Sequence, residues 1–476
     1  MMTYTVSLLV AIPALGALLA AFAGRRAPWV ALLASLATFA PLVTLWRDGS
    51  LGGPEVGSSV PQLAYPHYWL LRLDGLSLPL VALTAFLGVV AVLASWKIDE
   101  RPAAHHALLL MLEAAVMGVF LANDLILFYV FWEAVLIPMY FLIGVWGHEN
   151  RKHAAAKFFI YTFLASAAML VGILYIIFSY GQTVISDLPA FTSAQNQTFI
   201  FWLFAIGMLV KIPVVPLHTW LPDAHVEAPT AGSIMLAGVL LKMGGYGLLR
   251  LAIPLAPGAA QAAAPVLAGL GIAGIVYGAA MALAQSDLKR LVAYSSVAHM
   301  GFVVLATSTM TAAGYQAALL GMVSHGVVAG LLFLLVGQLY ERTHTRELDR
   351  FGGLGTQLPG WATLFTFAAL ASLGLPGLSG FPGEFLATIE GFKAWGWWIV
   401  PATVGIVLAA GYNLRAVWAV NHRSTSGEWS ALEDLKAGEW LPALLLAAAV
   451  LVLGIWPRIV IDVAEAALQA IAAGGM

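Results

Sequence analysis

An all-α polytopic membrane protein of about fourteen transmembrane helices is the fold class this sequence predicts, on three observations. The composition is apolar: of 476 residues 61% are hydrophobic and only 10% charged, with 47 glycines and 23 prolines and a mean hydropathy of +0.89. Glycine and proline are commoner in transmembrane helices than in soluble ones. Apolar runs recur along the whole chain, each close to the roughly 18 or more residues that a membrane span needs. Two of the runs are interrupted by proline and glycine beside an ionisable side chain, and such a break is tolerated in a membrane only where protein or water satisfies the freed backbone.

In order, the runs fall near 3–22, 28–46, 75–96, 106–121, 124–146, 154–178, 198–221, 228–250, 262–283, 290–308, 313–339, 361–387, 397–420 and 440–457. The first, Tyr4 to Phe22, begins without a basic n-region and has Arg25-Arg26 after it, so it reads as a span and not as a signal peptide. Stretches 47–72, 341–360 and 421–439 are the longest loops, and none is large enough for a second soluble domain. Residues 1–476 are thus expected to form a single membrane domain: helices 1–3 within 1–100, a first five-helix unit over 104–250, a second over 262–420, and helix 14 with its tail over 440–476.

Basic residues set the expected orientation. With the N-terminus outside, cytoplasmic loops hold Arg25, Arg26, Lys97, Arg101, Arg151, Lys152, Lys289, Arg290, Arg342, Arg346, Arg350, Arg423 and Lys436. Outer segments hold only Arg47, Arg72, Arg250, Lys393 and Arg458. Both termini are therefore predicted on the outer side; an even number of spans requires only that they share a side. Lys157, Lys211, Lys242 and Arg415 remain for the helices themselves.

The first break is Met208-Leu209-Val210-Lys211-Ile212-Pro213-Val214-Val215-Pro216-Leu217-His218-Thr219-Trp220. An ammonium at bilayer depth costs about 2.5–3.5 kcal/mol on insertion scales and normally faces a protein interior or a wet cavity. Snorkelling toward a membrane face is the plainer alternative for Lys211. The second break, Gly374-Leu375-Pro376-Gly377-Leu378-Ser379-Gly380-Phe381-Pro382-Gly383-Glu384, lies five helices later and ends on a carboxylate. Interrupted helices 7 and 12 at corresponding positions point to two inverted five-helix repeats, helices 4–8 and 9–13. Close helix packing is the alternative use of the same small residues.

Other ionisable groups in apolar sequence complete a candidate proton path. Glu133 sits deep in the fifth run, where a lysine partner such as Lys211 would offset the cost of its charge; separating the two is then a means of releasing a proton. Lys242 is placed to relay it and Glu384 to accept it. His299 and His325 lie in apolar spans, and His218 and His225 flank Trp220-Leu221-Pro222-Asp223. Histidine exchanges protons near neutral pH, though a structural role is as natural for each taken alone. Glu113 is a weaker candidate, Asp124 suits a helix start, and Asp287-Leu288-Lys289-Arg290 suits topology anchoring. Trp395, Trp397, Trp398 and Trp440 suit an interfacial belt.

Several classes are excluded or unsupported. With no cysteine, the chain has no disulfide, thiolate metal site or cysteine-ligated iron–sulfur cluster. Its histidines lack convincing metal-ligand spacing, and no basic block or stacking pattern supports nucleic-acid binding.

Three stretches carry a resemblance. Phe131-Trp132-Glu133-Ala134-Val135-Leu136-Ile137-Pro138-Met139-Tyr140-Phe141-Leu142-Ile143-Gly144, the run from Lys211-Ile212-Pro213 to Glu227-Ala228-Pro229-Thr230, and Asp287-Leu288-Lys289-Arg290-Leu291-Val292-Ala293-Tyr294-Ser295-Ser296-Val297-Ala298-His299-Met300-Gly301 resemble the M-type antiporter-like subunits of bacterial respiratory complex I, NADH:quinone oxidoreductase. The second stretch is shared with L- and N-type subunits and with multisubunit sodium/proton antiporters, which supply the alternative function. The resemblance implies that Glu133 pairs with Lys211, that Lys242 links to Glu384, and that His299 and His325 lie along a central hydrated axis. It implies a proton-translocating, non-redox subunit of the bacterial inner membrane, with L-type and N-type neighbours and with NADH, FMN, iron–sulfur clusters and quinone held by partner subunits.

Overall fold

In the computed structural model, residues 2–47, 56–59, 70–188, 190–191, 194–424 and 429–474 are described; parts of the expected loops 47–72 and 421–439 fall outside them. The chain is a helical bundle. It begins with α1 (Met2–Phe22), α2 (Ala27–Ala37) and α3 (Phe39–Arg47), then β1 (Val56–Ser59) and β2 (Leu70–Leu73), which pair antiparallel with Val56 opposite Leu73. Next come α4 (Leu78–Ala94), α5 (Pro102–Leu121), α6 (Leu125–Ala134), α7 (Leu136–Trp146), α8 (Arg151–Tyr180), α9 (Ala194–Lys211) and α10 (Trp220–Glu227). Then α11 (Thr230–Met235), α12 (Leu241–Gly247) and α13 (Ile253–Leu255) form one rod whose joints, Leu236–Leu240 and Leu248–Ala252, are π-helical. The second half holds α14 (Pro257–Ala284), α15 (Leu288–Thr307), α16 (Ala312–Thr343), α17 (Leu354–Gln357), α18 (Pro359–Ser372), α19 (Gly380–Trp395), α20 (Val400–Val417), α21 (Ala437–Ile455) and α22 (Arg458–Ala472).

Start signals in the sequence fix several of these ends. Proline occupies the first turn of α2, α4, α5, α14, α18 and α20, where its missing N–H costs nothing. Asp124 caps α6 through the amides of Ile126 and Leu127, both at 2.9 Å. Asp287 caps α15 through Arg290 N at 2.8 Å.

Both expected breaks are present. After Lys211, Pro213 and Pro216 suspend the helix until α10, and the Trp220 indole donates at 3.0 Å to the carbonyl of Val210, one of those the break sets free. Between α18 and α19 the chain turns through Gly374 and Gly377, whose φ of +81° and +91° are readily reached only without a Cβ.

Among the described residues, eleven helical segments are long and apolar enough to cross a membrane, and Leu78–Ala94 and Asn196–Lys211 are shorter apolar helices. The count of fourteen is not recovered by length: the third, Leu78–Ala94, has 17 residues, the seventh is broken after Lys211, and the second piece of the twelfth runs on into the thirteenth as Gly380–His422. The rod Thr230–Leu255 and α16 are the enclosed centre, each with 94% of its most apolar stretch buried, against 33% for α8 and α21. A helix apolar on all sides and buried on all sides is a core helix.

Two features fall outside the sequence reading. The β1–β2 ribbon occupies an expected loop. The tail folds as amphipathic α22, burying Val460, Ala464, Leu468 and Ile471 against α16 and α4, at the i, i+4 spacing that puts side chains on one face.

The loop before α4 is pinned by a buried ion pair, Arg250 to Asp74 at 2.5 and 2.6 Å. Burial alone would raise the Asp74 carboxyl, but Arg250, with the Ser77 amide and Arg72 adding to it, more than reverses this and holds it below its ordinary 3.8. Asp74→Asn should cost about 3–5 kcal/mol, the usual result of removing one partner of a buried pair, read as a lower melting temperature of the solubilised protein. The native pair's contribution is full above the ordinary carboxylate value and is lost as pH falls through the lowered one; the Asn variant should show no such acid dependence.

Candidate functional site

The ionisable residues singled out in the sequence gather in two places. The first is where α6, α8 and α9 meet. Glu133 accepts a hydrogen bond from Ser166 Oγ at 2.5 Å, with Tyr129 as a further hydrogen-bonding neighbour. Lys211 is only 1% exposed, which places it in the interior and not snorkelling. Its Nζ has no hydrogen-bond partner and lies 5.6 Å above the rings of both Trp132 and Phe158. Glu133 and Lys211 interact electrostatically, yet no ion pair within 4.0 Å joins them. The lysine is held in an aromatic cradle, which attracts a cation through the ring quadrupoles without fixing it by a hydrogen bond.

The second place is a continuous series across the central axis. Lys242 Nζ donates to the carbonyl of Ala237, within the π-helical joint, and meets His325 Nδ1 at 2.7 Å. A π turn lets a carbonyl leave the α-helical ladder, and such turns recur at functional sites. The ring of His325 stands 5.8 Å from that of His299. His299 Nδ1 meets Glu384 Oε1 at 2.5 Å, while its Nε2 faces Ser372 Oγ at 3.1 Å and the Tyr412 hydroxyl at 3.3 Å. Glu384 stands on α19 just after the second break. There Gly383 lets the helix approach α16 so closely that a Cβ would lie 2.7 Å from the Gly321 nitrogen.

Between the two histidines and Glu384 is a cavity of about 20 Å³, also lined by Ser295, Ser324 and Ser372. That is the space of about one water, and the wall is polar enough to hold one. Both rings line the cavity, their centroids 5.8 Å apart, so a water held there is a neighbour of both.

His225 is fully buried, stacked on Phe333 at 4.4 Å, and both its ring nitrogens lack a protein partner. It lies within electrostatic reach of Lys242 on one side and Lys289 on the other. His218 is 3% exposed, packs edge-on to Tyr277 at 5.0 Å, and leaves Nδ1 unpaired. Beyond them His148, in the turn before α8, is pushed down to about 3 by burial and by Lys289 and Arg346, so it is neutral at physiological pH.

Of the two expected pairings, Glu133 and Lys211 stand apart beyond 4.0 Å, while between Lys242 and Glu384 lie His325 and His299. Glu113 stands apart, fully packed and bonded by Ser35 Oγ at 2.7 Å. Ser166, Ser372 and Tyr412 were missed: a serine or tyrosine in an apolar span carries no signal until its neighbour is known. Also unforeseen is the ion pair of Lys157 with Asp223 at 2.6 Å, with Arg290 on the other oxygen at 3.6 Å, which ties α8 and α15 to α10. Among the described residues no group of three or more His, Cys, Asp or Glu is placed to hold a metal ion.

Comparison with known proteins follows the same lines. Residues 122–409 match the family described as NADH:quinone oxidoreductase/Mrp antiporter, TM. The chain is 42% identical over 470 residues to NADH-quinone oxidoreductase subunit M of Pseudomonas aeruginosa, covering 93% of this chain and 92% of the relative. It is 42% identical over 474 residues to the subunit M of Escherichia coli K12, covering 94% and 92%. A chain of respiratory complex I from Thermus thermophilus with bound NADH is similar at a TM-score of 0.89 and 33% identity, over 100% of this chain and 99% of that one. A chain of the Mrp complex from a Dietzia species is similar at 0.86 and 22%, over 99% and 97%, a likeness of fold alone.

Proposed function

Because this chain belongs to the NADH:quinone oxidoreductase/Mrp antiporter transmembrane family, we propose that its buried lysines, histidines and carboxylates carry protons across the membrane for an NADH:quinone oxidoreductase. It is an antiporter-like, multi-pass subunit of the M type and works within complex I beside other subunits. The observation that carries the reading is the series Lys242, His325, His299 and Glu384: its outer steps are 2.7 and 2.5 Å, and at the middle step two imidazole rings with centroids 5.8 Å apart line one water-sized cavity.

In this reading Glu133 and Lys211 form the loading end, in the unit 104–250. Lys242 and the two histidines pass the proton to Glu384 in the unit 262–420, and His218 and His225 serve the approach. The chain itself carries out no redox step. NADH, FMN, iron–sulfur clusters and quinone are held by partner subunits, whose chemistry supplies the drive. Moving one charge against 100 mV takes about 2.3 kcal/mol, and a change of one to two pKa units at a relay group is worth about 1.4–2.7 kcal/mol, so modest rearrangement suffices. The flanking neighbours are L-type and N-type subunits, and both termini face outward from the bacterial inner membrane.

Gentle extraction from the native membrane should carry this chain along with NADH:quinone oxidoreductase activity. Migration with a smaller assembly that exchanges sodium for protons without NADH would instead favour the antiporter function. Within the series, Glu384→Gln keeps the side chain's size and a hydrogen bond to His299 but cannot take a proton. The assembled variant should pump at about a tenth of the native rate or less, measured as acidification of vesicles per NADH oxidised; native pumping would remove Glu384 from the path.

A further inference from the structure

Away from the relay, two cavities meet at one end of the bundle. One, of about 340 Å³, is the more polar and is lined by Lys97, His105, His148, Lys289 and Arg346, with Glu341 as its carboxylate, among apolar side chains. The other, of about 350 Å³, is apolar and is lined by Trp29, Leu93, Leu334 and Leu441 among others. Both are bordered by Ala94, Lys97, Thr230 and Glu341, so they are two lobes of one amphipathic space.

Its place in the fold identifies the level. Lys97 follows α4, His105 opens α5, His148 follows α7, Thr230 opens α11, Lys289 opens α15 and Arg346 follows α16. All are helix ends on one face of the bundle, where phospholipid headgroups lie, and at the entrance Trp29 and Trp96 pack edge-on at 4.7 Å, as aromatic side chains do at that depth.

The polar lobe lacks partners of its own. His105 is 0% exposed, yet neither Nδ1 nor Nε2 has a protein partner, which is costly for a buried polar group. Lys97 gives one N–H to Glu439 at 2.7 Å and stays largely exposed, leaving donors for a ligand. Lys289 and Arg346 already bond backbone carbonyls, and Arg346 also pairs with Asp287 at 3.2 Å, so they back the lobe without lending it free donors. In the apolar lobe the Gln338 amide oxygen is likewise buried and unpaired.

We propose that this space is a binding site for an anionic glycerophospholipid, its phosphate held by Lys97 and His105 in the polar lobe and an acyl chain lying along Leu93, Leu334 and Leu441. Lys97, Lys289 and Arg346 outnumber Glu341 in the lining of this lobe; Glu439 and Asp287 pair with Lys97 and Arg346, so the attraction for an anion rests on the spare donors of Lys97 beside the unpartnered His105, and the adjoining apolar lobe selects a lipid over a free ion.

The test uses the solubilised, delipidated assembly that carries this chain. Added phosphatidylglycerol should be retained, by mass spectrometry, and should raise the melting temperature, whereas phosphatidylcholine and inorganic phosphate should do neither. Lys97→Ala should weaken retention about fivefold, the effect of one cation near an anionic headgroup. Ala94→Trp, which fills the neck between the lobes, should abolish retention of one phosphatidylglycerol per assembly while NADH oxidation persists. Equal stabilisation by inorganic phosphate would make the site one for free anions and overturn the proposal. So would equal retention of phosphatidylcholine, or undiminished retention in both variants.

Discussion

Lys211→Met should yield a fully assembled complex that has lost about nine-tenths or more of its proton pumping. The reason lies in what Nζ does not touch. With no hydrogen bond and no ion pair within 4.0 Å, its replacement by an apolar side chain of similar length strands no hydrogen-bond partner; what is given up is the attraction of two rings at 5.6 Å, about 0.5–2 kcal/mol for such a contact, and the longer-range attraction of Glu133. Removing an unpaired buried charge offsets that loss. Assembly and melting temperature should therefore stay near native values while pumping, followed by a pH-sensitive dye in vesicles fed with NADH, collapses. Loss of assembly with pumping intact per complex would mean that the ammonium is structural; full pumping would take Lys211 out of the proton path.

Lys242→Met should abolish pumping to a similar degree and, unlike the first variant, also destabilise the protein. Here Nζ donates to the Ala237 carbonyl and to His325. Deleting it strands two buried acceptors, each worth about 1–3 kcal/mol when unsatisfied. The melting temperature should fall measurably below that of Lys211→Met, and the comparison separates the two lysines by mechanism. Equal stability of the two variants would show that the Lys242 contacts are not formed in the working protein. Adding His325→Phe to Lys242→Met should recover part of the stability, because the stranded nitrogen is then gone, without recovering pumping.

The contrast between these lysines could not have been read from the chain. Each stands in an apolar run, Lys211 before Ile212-Pro213 and Lys242 before Met243-Gly244, and hydropathy treats them alike. The surroundings that separate them are the rings of Trp132 and Phe158, on other helices, for one, and for the other the Ala237 carbonyl five residues back on its own rod with the His325 imidazole 83 residues away. The same holds for the histidines. His299 and His325 are polar groups in apolar spans by sequence; packing of α15 on α16 and α19 makes them successive members of one series. Ser372 and Tyr412 join only because α18 and α20 bring them to His299 Nε2.

What the sequence determined by itself is everything governed by local composition and chain stiffness. Apolar runs at span length dictated the helical membrane class. Pro213 with Pro216, and Gly374 with Gly377, dictated the two breaks, because a missing N–H or a positive φ ends a helix whatever surrounds it. Asp124 marked a helix start, and the charges stranded in apolar sequence marked the residues around which the site is built. Tertiary structure decided which of those charges touch. Hydrogen bonds act over about 3 Å, and which side chains come that close depends on how α6, α8, α9, α12, α15, α16 and α19 cross. It also decided that the tail lies folded against the bundle as α22, since an amphipathic stripe shows that a face will be buried and not against what.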